Sequence, residues 1–185
     1  MAENNNKSKK ANNLKEEFVS WVKTIVGAIL IALFINNFII VNAQVPTSSM
    51  ENLIKPDDRI IALRLSYLFE NPQRGDVAVF RFPDDEKVLY IKRVIGIPGD
   101  VIEIKNGKLY LNGEIQNEEY LKEPMYEWAN WGPYNVPEGC YFMLGDNRNI
   151  SEDARYWKNT YVKKEAILGK ALLKYFPSIE VLMNK

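Results

Sequence analysis

The chain of 185 residues offers hydroxyl and amine side chains for catalysis, but it contains no histidine. Residues 46–50, with the sequence PTSSM, include a potential nucleophile, Ser49. The absence of histidine removes the usual general base at neutral pH, the commonest zinc ligand and every Ser-His or Cys-His catalytic arrangement. Acid–base chemistry would therefore require a carboxylate, tyrosine, lysine or cysteine with a shifted pKa.

The leading candidate for such a base is Lys92, which lies in the predicted strand 88–95. Side chains alternate between the two faces of a strand, so Lys92 and Arg93 lie on opposite faces, each among large apolar neighbours. One interpretation is that both cations extend into water, as long basic side chains usually do. The other depends on burial, because arginine stays protonated in proteins whereas a buried lysine can become a neutral amine. Lys92 could then accept a proton from a serine hydroxyl.

The elements that must position these residues begin with an apolar run at 21–41. Its length as a helix, roughly 30 Å, matches the hydrocarbon core of a bilayer. Five lysines lie before or at its start, and only Lys55 and Arg59 follow within about twenty residues, so the positive-inside bias predicts a cytoplasmic N-terminus. We predict a cytoplasmic polar tail at 1–20, disordered up to residue 15, a transmembrane anchor at 21–41 and an extracytoplasmic domain at 42–185.

Two alternatives to the anchor remain open. Asn36 and Asn37 interrupt the apolar run, so it could be a buried helix of a soluble domain. Residues 41–43 include the small side chains of a cleavage site, so the run could also be a secretory signal, although it is longer than the apolar region of about 7–15 residues that such signals usually have.

The composition of the chain narrows the classes of function. The 24 basic and 24 acidic side chains give a formal net charge of zero, and no basic block follows the apolar run, which argues against nucleic acid as a partner. Cys140 is the single cysteine, so an internal disulfide, a redox pair and a cysteine-rich metal site are excluded. No cofactor is expected.

The region after the apolar run is predicted to be mainly β, with antiparallel sheets around one core. Asn106-Gly107 indicates a two-residue hairpin turn, and Asn112-Gly113 indicates a second tight turn. Residues 116–139, rich in aromatic side chains, prolines and charges, are predicted to be a loop that covers the core or, alternatively, touches the membrane or an extended substrate. Short β-type runs bounded by Pro, Gly or Asp predict strands at 58–65, 76–82, 88–95, 101–105, 108–111, 141–144 and 166–176.

Four segments in order give the chain a resemblance to a known family. They are Ser49-Met50 after the apolar run, RGDVAVF at 74–80, YIKRVIGIPGD at 90–100 and GDNRNISEDAR at 145–155. Each alone is weak, but together they resemble the ordered sequence boxes of bacterial type I signal peptidases. The resemblance covers most of the chain after the apolar run.

The resemblance implies a Ser-Lys dyad with Ser49 as nucleophile and Lys92 as general base. It also implies that Thr47 helps to form the oxyanion hole, although Thr47 could instead only shape the turn after Pro46. Ser151 matches a serine that orients the lysine amine, and Asp153 and Arg155 match a supporting ion pair. The chain departs from the family pattern at Ala154, where a serine is usual. By the alternative interpretation, Asp153 and Arg155 are solvated charges near a polar turn.

The family cleaves signal peptides from preproteins after small residues at the first and third positions before the cut. The positions that correspond to its shallow apolar pockets are Val45, Met50, Ile54, Tyr90 and Ile91, which could equally be ordinary core residues. The expected protein is a membrane-bound serine endopeptidase of the bacterial cytoplasmic membrane, with preproteins and the lipid bilayer as its partners. Two other functions remain open: self-processing by the same dyad, and a non-enzymatic β module tethered to the membrane.

Overall fold

A computed structural model describes the backbone of residues 2–182 and the side chains of residues 15–182. The chain divides into two compact units, and the boundary between them lies between Ile39 and Ile40.

The first unit is a long helix. Helix α1 runs from Ala2 to Phe34 and continues as a π-helical turn from Ile35 to Ile39. The part from Lys15 to Ile39 is long and apolar enough to cross a membrane by length and composition. The expected disorder of the polar N-terminal segment is wrong from Ala2 onwards, because its Lys, Glu, Ala and Leu residues favour helix and extend a helix already nucleated by the apolar run.

The helix is also shorter at its C-terminal end than the apolar run. Ile40 and Val41 belong to strand β1, Ile40–Gln44, which pairs antiparallel with β2. Branched apolar side chains suit a lipid-facing helix and a sheet equally well, so composition alone could not locate this boundary.

The second unit contains two antiparallel sheets. The larger has eight strands in the order β1-β2-β11-β3-β4-β9-β10, with β12 paired to β11, and the smaller has the order β7-β6-β5-β8. A short helix, α2 at Ser66–Phe69, follows β2, and a 3-10 turn at Lys164–Ala166 precedes β11. The strands after β1 are β2 Arg59–Leu63, β3 Val77–Phe82, β4 Asp85–Gly96, β5 Val101–Lys105, β6 Lys108–Leu111, β7 Glu114–Ile115, β8 Trp131–Asn135, β9 Cys140–Leu144, β10 Val162–Lys163, β11 Ile167–Phe176 and β12 Glu180–Val181.

These strands confirm the predicted mainly β, antiparallel fold. All seven predicted strands are present, two of them with the predicted bounds and the others with bounds shifted by at most three residues, and β5 and β6 form the hairpin expected at Asn106-Gly107. Both asparagines of the two predicted turns have positive φ angles. The aromatic segment is not wholly a loop, because β8 lies within it and pairs with β5.

The expectation of a single core is wrong, because both faces of the larger sheet are covered. Alternate residues of β3 point to different clusters, with Ala78 and Phe80 in a first hydrophobic cluster and Val77 and Val79 in a second. The first cluster includes β5, β9 and part of the aromatic segment, whereas the second includes β1, β2 and the loop after Ser49. Strand β4 is therefore buried on both sides at the position of the candidate base.

Candidate active site

The loop that carries Ser49 is fixed by the strands and the core on either side of it. The backbone N–H of Val45 donates to the carbonyl of Asp58 at 3.0 Å, which extends the pairing of β1 with β2. After the serine, Met50 and Ile54 are completely buried in the second hydrophobic cluster, and the N–H of Ile54 donates to the carbonyl of Met50. Ser49 thus projects from a turn whose next residue is anchored in the core.

Lys92 approaches this serine from the middle of β4. Its partner in the sheet is Ala78 of β3, and only 3% of its surface is exposed. Its Nζ lies 2.5 Å from Oγ of Ser49, within hydrogen-bond distance. The two residues, 43 positions apart in the sequence, therefore form a close buried contact.

Burial lowers the pKa of Lys92, which is the direction that a general base at neutral pH requires. Desolvation lowers the pKa of the amine from 10.5 to about 8, because a buried ammonium loses its hydration. The negative charges of Asp153, Asp146 and Glu152 raise the pKa, and Arg155 lowers it, but desolvation is the largest effect. With this pKa, about one-tenth of the molecules hold a neutral amine beside the serine at pH 7.

Thr47 lies where it could support the reaction at Ser49. Its Oγ1 is 3.2 Å from Oγ of Ser49, and either hydroxyl can be the donor. Its side chain lines the same cavity as the serine. The contact fits a donor to a developing oxyanion, although in this state the hydroxyl interacts with the nucleophile itself.

The segment that follows β9 packs behind the dyad. Asp153 and Arg155 form a buried ion pair with Nε and Oδ1 2.7 Å apart, and Asp153 also accepts the N–H of Gly145 at 3.1 Å. The interpretation of these charges as solvated is therefore wrong. Ala154 is buried in the first hydrophobic cluster, where a serine hydroxyl would need a partner.

Ser151 is buried near the serine loop, but its predicted bond to the amine is not formed. Its Oγ makes no hydrogen bond within the part of the chain that the structure describes. A Cβ added at Gly145 would clash with this Oγ and would lie 2.5 Å from the carbonyl oxygen of Ser49. Gly145 therefore allows Ser151 and the nucleophile loop to approach each other closely.

Arg93, on the opposite face of β4, is also buried. Its guanidinium forms two hydrogen bonds with the carboxylate of Asp146, at 2.8 and 2.6 Å, and both side chains are at most 2% exposed. Sequence analysis assigned no role to this pair, although both residues lie in the matched segments. The sequence did offer a signal for this pair: Arg93 lies in the apolar strand 88–95, Asp146 lies in the later matched segment 145–155, and a buried arginine needs a negatively charged partner.

A cavity of about 320 Å³ opens beside the dyad. Of the five residues predicted to bind substrate, Val45, Tyr90 and Ile91 line this cavity, whereas Met50 and Ile54 lie outside its lining and pack in the core. Apolar side chains suit a pocket and a core equally, so sequence could not separate the two groups. Besides the dyad and Thr47, the lining residues that sequence analysis missed are Ala43, Gln44, Pro46, Ser48, Val79, Val88, Leu89, Ile150 and Glu152.

One side of the cavity is an open strand edge. Strand β9 pairs with β4 only from Arg93 to Gly96, so within the described residues the edge of β4 at 88–91 that faces away from β3 has no strand partner, whereas residues 89–91 pair with β3 on the other side. Among residues 15–182, no group of three or more Cys, Asp or Glu side chains is arranged to hold a metal ion. The cavity therefore combines a hydroxyl–amine pair with an edge that can accept an extended chain.

The sequence of this chain is similar to those of known proteins. The family described as signal peptidase, peptidase S26, matches residues 18–176. The chain is 38% identical to a probable signal peptidase I-2 from Synechocystis sp. over 84% of this chain and 72% of that protein. It is 33% identical to a signal peptidase I from Bacillus licheniformis over 93% of this chain and 96% of that protein.

The chain is also similar to a protein from Bacillus subtilis and to a solved structure from Enterococcus faecalis. Signal peptidase I S from Bacillus subtilis is 35% identical over 90% of this chain and 94% of that protein. A crystal structure of a signal peptidase I from Enterococcus faecalis, 32% identical, has a TM-score of 0.48 and covers 55% of this chain and 97% of that chain. Because the family match and the relatives cover most of the sequence, the chain belongs to the signal peptidase family, peptidase S26, a family of serine endopeptidases.

Proposed function

We propose that this protein cleaves signal peptides from preproteins with Ser49 as nucleophile and Lys92 as general base. The observation that carries the proposal is the 2.5 Å contact between the amine of Lys92, a residue that is only 3% exposed, and the hydroxyl of Ser49. A neutral amine at that distance can accept the hydroxyl proton as the oxygen attacks a carbonyl carbon. Family membership supports the reaction, and the contact supports the assignment of these two residues.

The chemistry proceeds in two proton-transfer cycles. In the first, Oγ of Ser49 attacks the scissile carbonyl and its proton passes to Nζ of Lys92. The resulting ammonium then gives this proton to the leaving amine as the peptide bond breaks, which leaves an acyl-enzyme and a neutral lysine. In the second cycle a water molecule loses a proton to Nζ, attacks the ester and releases Ser49 with the same proton returned to its oxygen.

The supporting residues act on charge and orientation. The hydroxyl of Thr47 and the backbone N–H of Ser49 would donate to the oxyanion that forms on the carbonyl oxygen. The buried hydroxyl of Ser151, which has no hydrogen bond within the described residues, would be available to the amine of Lys92 after proton transfer. The ion pair of Asp153 and Arg155 holds the backbone that carries this hydroxyl.

The cleft supports a preference for small side chains on both sides of one residue. An extended substrate would pair with the free edge of β4 at residues 88–91, so alternate side chains would point into the cleft. Val45, Tyr90 and Ile91 restrict the space for those side chains, and large ones would clash. We infer that alanine or another small residue is required at the first and third positions before the cut.

The helix at Lys15–Ile39 supports attachment to the bacterial cytoplasmic membrane. The lysines before it favour a cytoplasmic N-terminus and an extracytoplasmic catalytic unit. Protease added outside intact spheroplasts should then degrade residues 42–185 of the protein. Protection of that region until the membrane is permeabilised would reverse the orientation.

The dyad is tested by cleavage of a preprotein that carries a small-x-small site, with the full chain in detergent. Ser49→Ala, Lys92→Ala and Lys92→Arg should each abolish cleavage, the last because an arginine side chain keeps its proton. Matched controls are Ser178→Ala and Lys87→Ala, since Ser178 is exposed and Lys87 is exposed on the same strand as Lys92. Cleavage by the Ser49→Ala or Lys92→Ala protein at the control rate would refute the assignment.

A further inference from the structure

Residues 117–126 cross the catalytic loops, and we call this segment the strap. It begins after β7 and lies in the aromatic segment. Two of its contacts reach the turn that follows the nucleophile. Nζ of Lys122 lies 2.7 Å from Oε2 of Glu51, and the side-chain amide of Asn52 donates to the carbonyl of Tyr120 at 3.4 Å.

The strap is joined to the catalytic segment by a buried pair of opposite charges. The guanidinium of Arg148 donates to both carboxylate oxygens of Glu118, at 2.5 and 3.0 Å. The two side chains are 0% and 5% exposed, respectively. The hydroxyl of Tyr120 donates to the same carboxylate at 2.6 Å. Loss of the carboxylate would leave a buried guanidinium without its main counter-charge, which is strongly unfavourable.

A second contact of the strap reaches the other buried arginine. The ring of Tyr120 lies against the guanidinium of Arg93, with 4.1 Å between the guanidinium carbon and the ring centroid. Arg93 in turn holds the carboxylate of Asp146. The backbone N–H of Lys122 also donates to the carbonyl of Asp146 at 3.4 Å. The strap therefore contacts the turn that begins at Gly145 at two positions, Asp146 and Arg148.

That turn is in direct contact with the nucleophile loop. Nε of Arg148 donates to the carbonyl of Gly145 at 3.0 Å. The backbone N–H of Asn147 donates to the carbonyl of Ser49 at 3.0 Å, and its side-chain amide donates to the carbonyl of Ser48 at 3.1 Å. A chain of hydrogen bonds thus runs from the strap carboxylate through Arg148 and the turn to the backbone of Ser49.

We propose that Glu118 is a positioning residue, which acts through Arg148 to hold the turn 145–151 against Ser49 and to keep water from the amine of Lys92. The inference rests on the proposed dyad, because it concerns how the rest of the protein maintains the contact between Ser49 and Lys92. It gives a role to the start of the aromatic segment, for which the sequence suggested only coverage of the core or contact with the membrane or substrate. The strap residues lie outside the lining of the substrate cleft.

If Glu118 has this role, its loss should change both kcat and the pKa of Lys92. A displaced turn would misplace the serine and lower kcat, whereas KM would change much less, because Ile150 is the one residue of this turn in the lining of the cleft. Water admitted beside Lys92 would raise the pKa of the amine towards its ordinary value. The charged and titratable groups around this amine, Asp146, Glu152, Asp153, Arg155 and Tyr90, would all remain in the altered protein.

The test compares Glu118→Gln with Glu119→Gln in the full chain in detergent. Both substitutions remove one carboxylate from the strap, but Glu119 is exposed, and within the described residues its carboxylate accepts a hydrogen bond from Asn117 alone. We expect Glu118→Gln to lower kcat by about tenfold or more, to leave KM within about twofold and to move the acid limb of the pH–rate profile to higher pH. Glu119→Gln should match the original protein in all three quantities.

The outcomes distinguish this inference from the proposed function. A folded Glu118→Gln protein with the kcat and acid limb of Glu119→Gln would overturn the inference alone. If Glu118→Gln fails to fold, Tyr120→Phe decides, because it removes one hydrogen bond to Glu118 and keeps the ring on Arg93. Tyr120→Phe should shift the same limb upwards, and an unshifted limb would refute the positioning role. Ser49→Ala or Lys92→Ala proteins that still cleave would instead refute the dyad.

Discussion

The rate of cleavage should follow the deprotonation of Lys92, with a midpoint near pH 8. This value comes from burial, which lowers the pKa of the amine from 10.5 to about 8. With a pKa of about 8, the neutral fraction is about one-tenth at pH 7 and about nine-tenths at pH 9. The rate should therefore rise about tenfold between these two pH values and then level off.

An unburied amine would behave differently. With the ordinary value of 10.5, the neutral fraction would rise about a hundredfold between pH 7 and pH 9 and would show no plateau in that range. The assay is kcat/KM for a preprotein peptide without side chains that titrate between pH 6 and 10, which reports the free enzyme. An acid limb with a midpoint near 10, or a rate independent of pH from 6 to 9, would refute the argument from burial.

Burial of Lys92 also lowers the stability of the folded protein, and the pH dependence of this effect can be tested separately. The difference between 10.5 and about 8 corresponds to about 3 kcal/mol against burying the charged amine. Because the unfolded chain binds this proton more tightly, the contribution of Lys92 to stability is least favourable below about pH 8 and recovers as the pH rises to 10.5.

Replacement of the lysine by an apolar side chain of similar size removes this cost. Lys92→Met should raise the melting temperature in detergent at pH 7, and its advantage over the original protein should shrink between about pH 8 and 10.5. An advantage of Lys92→Met that does not change between pH 7 and pH 10 would contradict this direction of the pH dependence.

Three further predictions concern the neighbours of the dyad. If the hydroxyl of Thr47 donates to the oxyanion, Thr47→Val should lower kcat by a factor of about 100 to 1,000, whereas Thr47→Ser should retain activity. Equal kcat values for the two variants would exclude that role. Gly145→Ala should lower both the melting temperature and kcat, since its Cβ would lie 2.5 Å from the carbonyl oxygen of Ser49, and the overpacking should cost about 1–3 kcal/mol. Gly27→Ala, where a Cβ meets nothing within 4 Å, is the control for added volume, and a Gly145→Ala protein as stable and active as this control would contradict the steric argument. Glu152→Gln should move the acid limb to lower pH, because the charge of Glu152 raises the pKa of Lys92; a limb that moves upwards would be inconsistent with that effect.

Local patterns predicted most of the β fold, because alternation and turn residues act over a few positions. The strand 88–95 is confirmed within β4, and the turn at Asn106-Gly107 joins β5 to β6. Strand β8 was missed because Gly132 and Pro133 interrupt it, and both residues are usually unfavourable in strands. The first strand was missed because its apolar residues continue the pattern of the preceding helix.

The residues of the cleft show that sequence patterns also fail to separate binding residues from core residues. Of the five residues predicted to bind substrate, Val45, Tyr90 and Ile91 line the cavity, but Met50 and Ile54 are core residues. Nothing in the type of an apolar residue states whether its neighbours will be protein atoms or a substrate. That distinction depends on which elements pack over it.

The sequence by itself determined the chemical options of this protein. A chain without histidine, with a serine after an apolar run and a lysine within an apolar strand, has few ways to activate a hydroxyl. Only the tertiary structure decided that the amine of Lys92 lies 2.5 Å from Ser49 and that this lysine is almost completely buried. The physical reason is that residue types fix which protons can move, whereas distance and desolvation arise from pairing and packing between segments far apart in the chain.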